Sequence, residues 1–564
     1  MKKSKITALI EMPGSPEGAG AFLKRLRNAD DPLAMVGDLA PHDFLILHRE
    51  ADDEQRAELL TMARKDQVEG VVDLACWKGD IPDLNALEEF VRPLVSTGLK
   101  GAQAAYDKLG DELKTLLLKR HVVVHLREDK DDEVPAAEGS DLIACPDNYY
   151  FIEIPDPDGV PDIVRQIVAG LINKPFEEYQ AELECIRHDL PSDLQETAFK
   201  WRGGRLADLG FGTLEDGLAI LSPRDPQQVK QMLAAAADPQ YLTTPDFQTS
   251  AIVSENLAGN DLLEHALEFL QQSDDPVFQT KSRRLGADLG AMTSLFLTGT
   301  RCDLGDTEAV ARCALWARDI LALGLRMVTG DNVAMGAKAL AYLAPATILQ
   351  AGMGMLIPLR QRARKVLADK RLDTTTAQGL RMDPPLDVIL QSLSLDIPGR
   401  WPPLDEGRDL SPVPMDPLPG ELVAFADLVQ LGRAEDLLEE AEHLADLACD
   451  KLGWEPHVVD DRGEICGSTL LMTALVNVAK GKEPSAVPVT SDEAAAFREQ
   501  VLNSGEEDLI LDAISGLSPA MQVSADGPLH PALERDPLRR LILRLIHLGR
   551  ARIASGDPST ILVD

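Results

Sequence analysis

The chain has 564 residues, of which 45% are hydrophobic, 26% charged and only 4% aromatic, and its formal net charge is −37. That length exceeds one ordinary core and asks for three or four units at about 150 residues each, while the composition is globular and excludes intrinsic disorder. The excess of 93 acidic over 56 basic residues excludes nucleic acid as a partner, because binding to a phosphate backbone draws on clustered Lys and Arg; it leaves an acidic surface that steers basic partners.

Met1-Lys2-Lys3-Ser4-Lys5 opens like a secretory leader, but the apolar stretch from Ile6 meets Glu11 and Pro13 too soon for a leader core. Residues 36–76 hold a short internal repeat. Its segments start at Ala40-Pro41-His42-Asp43, Asp52-Asp53-Glu54-Gln55 and Lys65-Asp66-Gln67, each with an Asp placed to cap a helix or oppose its dipole. Each then runs apolar at helical spacing, as in Phe44, Leu45 and Leu47 or Val68, Val71, Val72 and Leu74. Helices this short need neighbours to stack on. The pattern is similar to the superhelical repeats of magnesium-transporter N-terminal domains and flagellar-motor switch proteins. Residues 1–120 are read as a short-helix repeat region, with a helical stretch from Leu84 to Arg120.

The run His121-Val122-Val123-Val124-His125-Leu126 leans to strand, and Asp129–Glu138 is a charged loop. Cys145-Pro146-Asp147-Asn148 reads as a turn between strands at Leu142–Ala144 and Tyr149–Ile154, so a small antiparallel sheet is expected near 121–154. Helices resume from Gly159 to about Leu190, and residues 121–225 form one region. Next, Leu257–Gln272, Val277–Thr298, Thr307–Val328, Val333–Leu343 and Ala346–Ala368 predict a helical bundle over 226–383, punctuated at Asp274-Asp275-Pro276 and Gly330-Asp331-Asn332. Its most apolar part, Ile320–Leu359, is interrupted by Arg326, Asp331, Lys338 and Pro345 and so is core, since a membrane span needs about 20 unbroken apolar residues. Prolines crowd 384–419, a linker, and 420–564 is a last, mainly helical domain with a hairpin expected near 458–466. The fold class expected is mainly α, and the location cytoplasmic.

Cysteines 76, 145, 185, 302, 313, 449 and 466 are odd in number and lack CxxC spacing, which indicates reduced thiols rather than a disulfide framework or a zinc knuckle. The chain has no P-loop, G-x-G-x-x-G, HExxH, G-x-S-x-G or EF-hand signature. Glu440 and His443 make one Glu-x-x-His, but a di-iron bundle needs two. Glu184 with His188, and His121 with His125, lack a third ligand, so no metal and no cofactor are expected.

Lys200-Trp201-Arg202-Gly203-Gly204-Arg205-Leu206-Ala207-Asp208-Leu209-Gly210-Phe211 stands out as a basic, glycine-broken block on an acidic background. As an anion site, Gly203 and Gly204 would let backbone approach while Arg202 and Arg205 present bidentate donors. As a structural joint, it would be a helix break with Arg202 or Arg205 paired to Asp208 and Trp201 packed beneath. The empty motif search favours the joint. Arg360–Arg371 ends a helix, and Arg535–Arg552, with Leu538, Leu541, Ile542, Leu545 and Ile546, is a basic amphipathic helix that docks on the acidic body or on an anionic membrane surface.

Two stretches, Val72-Asp73-Leu74-Ala75-Cys76-Trp77-Lys78-Gly79-Asp80 and Trp201–Phe211 with Leu214-Glu215-Asp216-Gly217-Leu218, resemble an uncharacterised bacterial family classed as a domain of unknown function. That resemblance implies no activity or ligand, only that the chain is one unit. Three functions are expected, in order: a non-catalytic scaffold with a protein partner; an enzyme or ligand-binding protein with an anion at Arg202 and Arg205; and a peripheral regulator of a membrane or motor complex.

Overall fold

A computed structural model describes residues 16–129, 134, 137–208, 211–241, 261–369, 371–372, 380–402, 422–455, 465–503 and 536–563. The chain is mainly α-helical, as expected, with the small antiparallel sheet expected near 121–154 and a second antiparallel pair, β1 (Trp77–Lys78) with β2 (Ile81–Pro82), that was not expected. It divides into two compact units that interleave in sequence: one of Met1–Ser222, Leu233–Arg318 and Asn332–Thr347, the other of Pro223–Met232, Asp319–Asp331 and Ile348–Asp564.

In the first unit the expected repeat is a run of short helices at Pro32–Gly37, Pro41–Glu50, Asp53–Met62 and Lys65–Ala75. Only one of the three aspartates singled out there caps its helix. Asp52 accepts from the Gln55 N–H at 2.9 Å while the Gln55 side chain accepts from the Asp52 N–H. Asp43, buried, and Asp66, paired with Arg64 at 3.0 Å, make no cap but both stand in the first turn of their helices, where an acid opposes the dipole. Stacking is enforced by polar bonds as well as apolar burial. Gln67, fully buried, donates from Nε2 to the carbonyls of Val36 (2.8 Å) and Leu39 (2.7 Å), so the carbonyls that a short helix leaves open at its C-terminus are satisfied by the next helix but two. Phe44, Leu47, Leu59, Leu60, Val71 and Leu74, all essentially inaccessible, fill one continuous core.

The stretch Leu84–Arg120 is not continuous. It breaks into Leu84–Val91, a 3-10 turn Arg92–Thr97, Gly98–Tyr106 and Asp111–Lys119, because Pro93 lacks an N–H and Gly98 adopts φ +69°. The three-stranded sheet has order β3-β5-β4, from β3 (Val123–Leu126), β5 (Tyr150–Ile154) and β4 (Asp141–Ala144), with Ile152 opposite both Val124 and Ile143. The Cys145–Asn148 turn forms as expected, with Asn148 at φ +58° and its N–H on the Cys145 carbonyl at 2.9 Å. The five helices expected over 257–368 form, at Asp261–Gln272, Pro276–Gly299, Thr307–Thr329, Val333–Tyr342 and Pro345–Leu367, and the first, second and fourth pack on one another. Asp275 and Asn332 supply two of the N-caps.

In the second unit Gly324 and Gly352 let two helices touch backbone to backbone, since a Cβ on Gly324 would sit 2.0 Å from the Ile348 carbonyl oxygen. The helix Pro537–Ala554 buries Leu541, Ile542, Leu545 and Ile546 against Leu428–Ala445, Gly467–Ala479 and Ser491–Asn503. Its apolar face is therefore covered by the chain's own helices and is not presented to a membrane surface. Among the described residues no single helix is long and apolar enough to cross a membrane. Residues 458–464 of the expected hairpin and 403–419 of the proline-rich stretch lie outside the described residues, while the described part of that stretch holds a helix, Leu386–Ser394.

Candidate functional site

The Lys200–Phe211 block begins inside a helix, Pro191–Asp208, that runs unbroken through Gly203 and Gly204. The expected helix break is absent. Both glycines are exposed, and a methyl group added to either would meet nothing within 4 Å. Their N–H groups sit at mid-helix positions, where the donors serve the i−4 ladder, so they form no cradle for an anion.

The arginines point the other way, into the first unit. Arg205 donates from Nε to Asp73 Oδ2 at 2.6 Å and from Nη2 to Oδ1 at 2.9 Å, a bidentate fork on a carboxylate that is 0% exposed. Arg202 donates from Nε to the Asp73 backbone carbonyl at 2.9 Å and from Nη1 to the Gly79 carbonyl at 3.3 Å. Its guanidinium lies 4.8 Å over the Trp77 ring. Asp73 stands near the C-terminus of the helix Lys65–Ala75, where carbonyls lack intrahelical donors and the dipole favours a cation. Burial pushes the Asp73 carboxyl above the usual range, and the hydrogen bonds and charge of Arg205 pull the other way. The two-pronged geometry is that of an ionised carboxylate held by a guanidinium.

The partner of Arg205 is thus Asp73, not Asp208, which is exposed at the helix end. The tryptophan packed beneath an arginine is Trp77, 8% exposed, while Trp201 is 59% exposed on the outer face. Beyond the helix, the Phe211 N–H bonds the Leu206 carbonyl at 2.9 Å, and the Thr298 hydroxyl donates to the Phe211 carbonyl at 2.6 Å. Gly217 then meets Gly299 so closely that a Cβ on Gly299 would lie 2.4 Å from the Gly217 oxygen. One block therefore ties the short-helix stack to the bundle helix Pro276–Gly299. Asp73 lies in the block 72–80, but sequence spacing gives no means of matching it to a residue 132 positions away.

The other marked residues are dispersed, and most pair locally or with a distant helix. His121 meets Glu88 at 2.7 Å from the turn before β3 rather than from the strand, and His125 meets Glu153 at 2.6 Å. His188 pairs with Glu184 at 3.0 Å. Glu440 accepts from Arg544 Nε at 2.5 Å, and Glu442 takes a bidentate fork from Arg362. Two buried polar nodes carried no sequence signal. Lys281 and Asp288, both with fully buried side chains, pair at 2.6 Å. Arg552 gathers Cys466, Ser468, Thr469, Ser559 and Asp557, and the Ser468 N–H donates to the buried Asp383 at 2.9 Å. A half-open cleft of about 650 Å³ lies among the N-terminal helices, lined by Leu23, Leu26, Leu59 and Met62 with Arg27, Glu54 and Glu58 at its polar side.

These contacts define a mainly helical protein in which two distant sequence blocks, 72–80 and 201–218, lock together through a buried Asp–Arg joint. The chain belongs to a family of unknown function (DUF6178), which matches residues 18–542 and so covers both blocks. No curated protein and no solved structure matches the chain significantly.

Proposed function

We propose that this protein is a non-catalytic, cytosolic scaffold that binds a protein partner through stacked helices and an acidic surface. What supports the reading is how the basic block is used. Arg205 spends its fork on Asp73, and Arg202 spends Nε and Nη1 on the Asp73 and Gly79 carbonyls. The cations best suited to an anionic substrate are thereby engaged in cross-linking the fold. The excess charge of −37 remains for the exterior, where it favours a basic partner. The test is affinity capture of the tagged full chain from its native cells, with in-cell cross-linking and mass spectrometry. A recurrent protein partner, lost at high salt, is the expected result. Recovery of the chain with a small molecule and no protein partner overturns it.

One observation favours a second reading, ligand binding: the cleft lined by Leu23, Leu26, Leu59 and Met62 with Arg27, Glu54 and Glu58 combines apolar walls with a few charged groups, as small-molecule sites do. A metabolite-library thermal-shift screen, with Glu54→Gln and Glu58→Gln as controls, separates this reading from the first.

A further inference from the structure

We propose that the cleft among the N-terminal helices binds an amphipathic organic cation, an amine carried on an apolar body. The inference rests on the ligand-binding reading of this cleft and names the class of ligand it takes. Four elements of the first unit converge there: the helix Pro16–Leu26, the start of Pro32–Gly37, one face of Asp53–Met62 and the 3-10 turn Arg92–Thr97. The volume of about 650 Å³ falls within the range of small-molecule sites.

The floor is apolar and fixed. Leu23, Leu26 and Leu59 are buried members of the continuous core, and Met62 packs against it. Side chains held in this way need no rearrangement to receive a hydrocarbon body, and each methylene fully buried against them raises affinity about fourfold.

The polar side is built mainly to accept hydrogen bonds. Glu54 and Glu58 stand four residues apart, so both carboxylates lie on the face of Asp53–Met62 that lines the cleft. The capping box of Asp52 and Gln55 fixes the turn that carries Glu54. Three hydroxyls at the rim give their protons to backbone carbonyls: Thr61 to Ala57 at 2.8 Å, Ser96 to Pro93 at 2.9 Å and Thr97 to Leu94 at 2.6 Å. Their oxygens therefore keep acceptor capacity and have no proton left to donate. An ammonium, with three donors and no acceptor, matches this rim.

No neighbouring cation neutralises the two glutamates. Arg56, on the same helix, donates from Nε to the His48 carbonyl at 2.8 Å and from Nη2 to the Arg49 carbonyl at 2.9 Å, and its Nη1 meets Asp53. Lys108 donates to the Leu60 and Thr61 carbonyls, both at 2.9 Å. Arg27 lines the cleft but forms no ion pair with Glu54 or Glu58, and among the described residues neither glutamate side chain has an ion pair. A ligand ammonium therefore turns toward the glutamates and away from Arg27, with its apolar body on the leucine floor.

The test uses the full-length chain and three probes of one length: n-octylamine, an ammonium at pH 7, with 1-octanol and octanoate as its uncharged and anionic counterparts. Ligand-observed NMR titration gives the affinities, and amide hydrogen exchange locates the binding. Octylamine should bind about fivefold more tightly than octanol, the scale of an exposed ion pair, with octanoate weakest. It should also slow exchange in Pro16–Leu26 and Asp53–Met62. The double variant Glu54→Gln, Glu58→Gln should abolish the advantage of octylamine over octanol and leave octanol binding unchanged. It alters two of 93 acidic residues, so attraction of cations by the acidic surface at large would survive it. Both side chains are exposed and Gln has the same shape, so the variant keeps the fold, which unchanged exchange in Lys65–Ala75 verifies. An octylamine advantage that persists in the double variant, or octanol or octanoate binding as tightly as octylamine, overturns the cation assignment and leaves the ligand-binding reading standing. Absence of saturable protection in both helices with all three probes overturns that reading and the inference together.

Discussion

Replacing Asp73 with Ala removes a carboxylate that is 0% exposed and leaves Arg205, 28% exposed, without the acceptor for two charge-assisted bonds at 2.6 and 2.9 Å. Breaking a buried ion pair from one side costs about 3–5 kcal/mol, because the surviving charge is stranded and not merely unpaired. The partial exposure of Arg205 lets water reach one edge of the guanidinium, which puts the expected loss near the lower end, about 3 kcal/mol. The chain has two units, so a single global unfolding energy is not well defined, and the loss is better read locally by amide hydrogen exchange with mass spectrometry. Peptides from Lys65–Ala75 and from Pro191–Asp208 should exchange about 100-fold faster in Asp73→Ala, since each 1.4 kcal/mol is tenfold. The double-mutant cycle with Arg205→Ala should return a coupling of about 2–3 kcal/mol. Unchanged exchange in both helices, or a coupling below about 0.5 kcal/mol, would refute the view that these residues join the two blocks.

Two further outcomes follow from buried histidines and from glycines. Burial holds His42 at about 4 and His48 at about 3, both below the ordinary 6.5, and neither ring nitrogen of His42 meets a hydrogen-bond partner. Both rings fold neutral, so the unfolded chain binds more protons; stability is full above about pH 6.5 and falls as the pH drops, with the loss levelling off below the folded values. Between about pH 8 and pH 5 each ring removes about 2 kcal/mol, so His48→Leu should flatten the pH dependence of the first unit by that amount, read by exchange in Pro41–Glu50; parallel curves contradict it. Gly299→Ala should destabilise by about 1–3 kcal/mol through the clash with Gly217, while Gly203→Ala and Gly204→Ala, in open space on a helix, should each stabilise by about 0.5–1 kcal/mol. Denaturant midpoints that reverse this order refute the assignment of which glycines are structural.

Much of the helix pattern was legible because its signals are local. Proline or aspartate marks the starts at Pro41, Asp53, Pro276 and Pro345, and apolar periodicity does the rest. The β turn at Cys145–Asn148 was legible for the same reason, through an Asn suited to positive φ. What was not legible depends on contacts between distant residues. Asp208 was the expected partner of the arginines because it is close in sequence; Asp73 is the real one because helix packing brings it there. Gly203-Gly204 looked like a break because glycine usually weakens helices, yet its cost of about 1 kcal/mol per residue is small beside the fork that pins Arg205 one residue on. The order β3-β5-β4 and the interleaving of the two units likewise follow from tertiary pairing, which no window of sequence contains.

The pattern of cations answers why so acidic a chain keeps basic clusters at all. Arg362 forks onto Glu442 and reaches Glu435, Arg371 bridges Asp369, Asp446 and Asp450, and Arg540 and Arg544 converge on Glu440, which is 1% exposed. Arg552 holds Asp557, and Arg205 holds Asp73. Most of these pairs join residues far apart in sequence. Arginine suits the task better than lysine because its rigid fork fixes distance and angle together and stays charged when partly buried. With only 4% aromatic residues to fill the cores, directional cross-links of this kind supply geometry that packing of Leu and Ala leaves underdetermined. On that argument Arg205→Lys, which keeps the charge and loses the fork, should recover less than half of the stability lost in Arg205→Ala; full recovery would show that charge alone suffices and that the geometry of the joint is incidental.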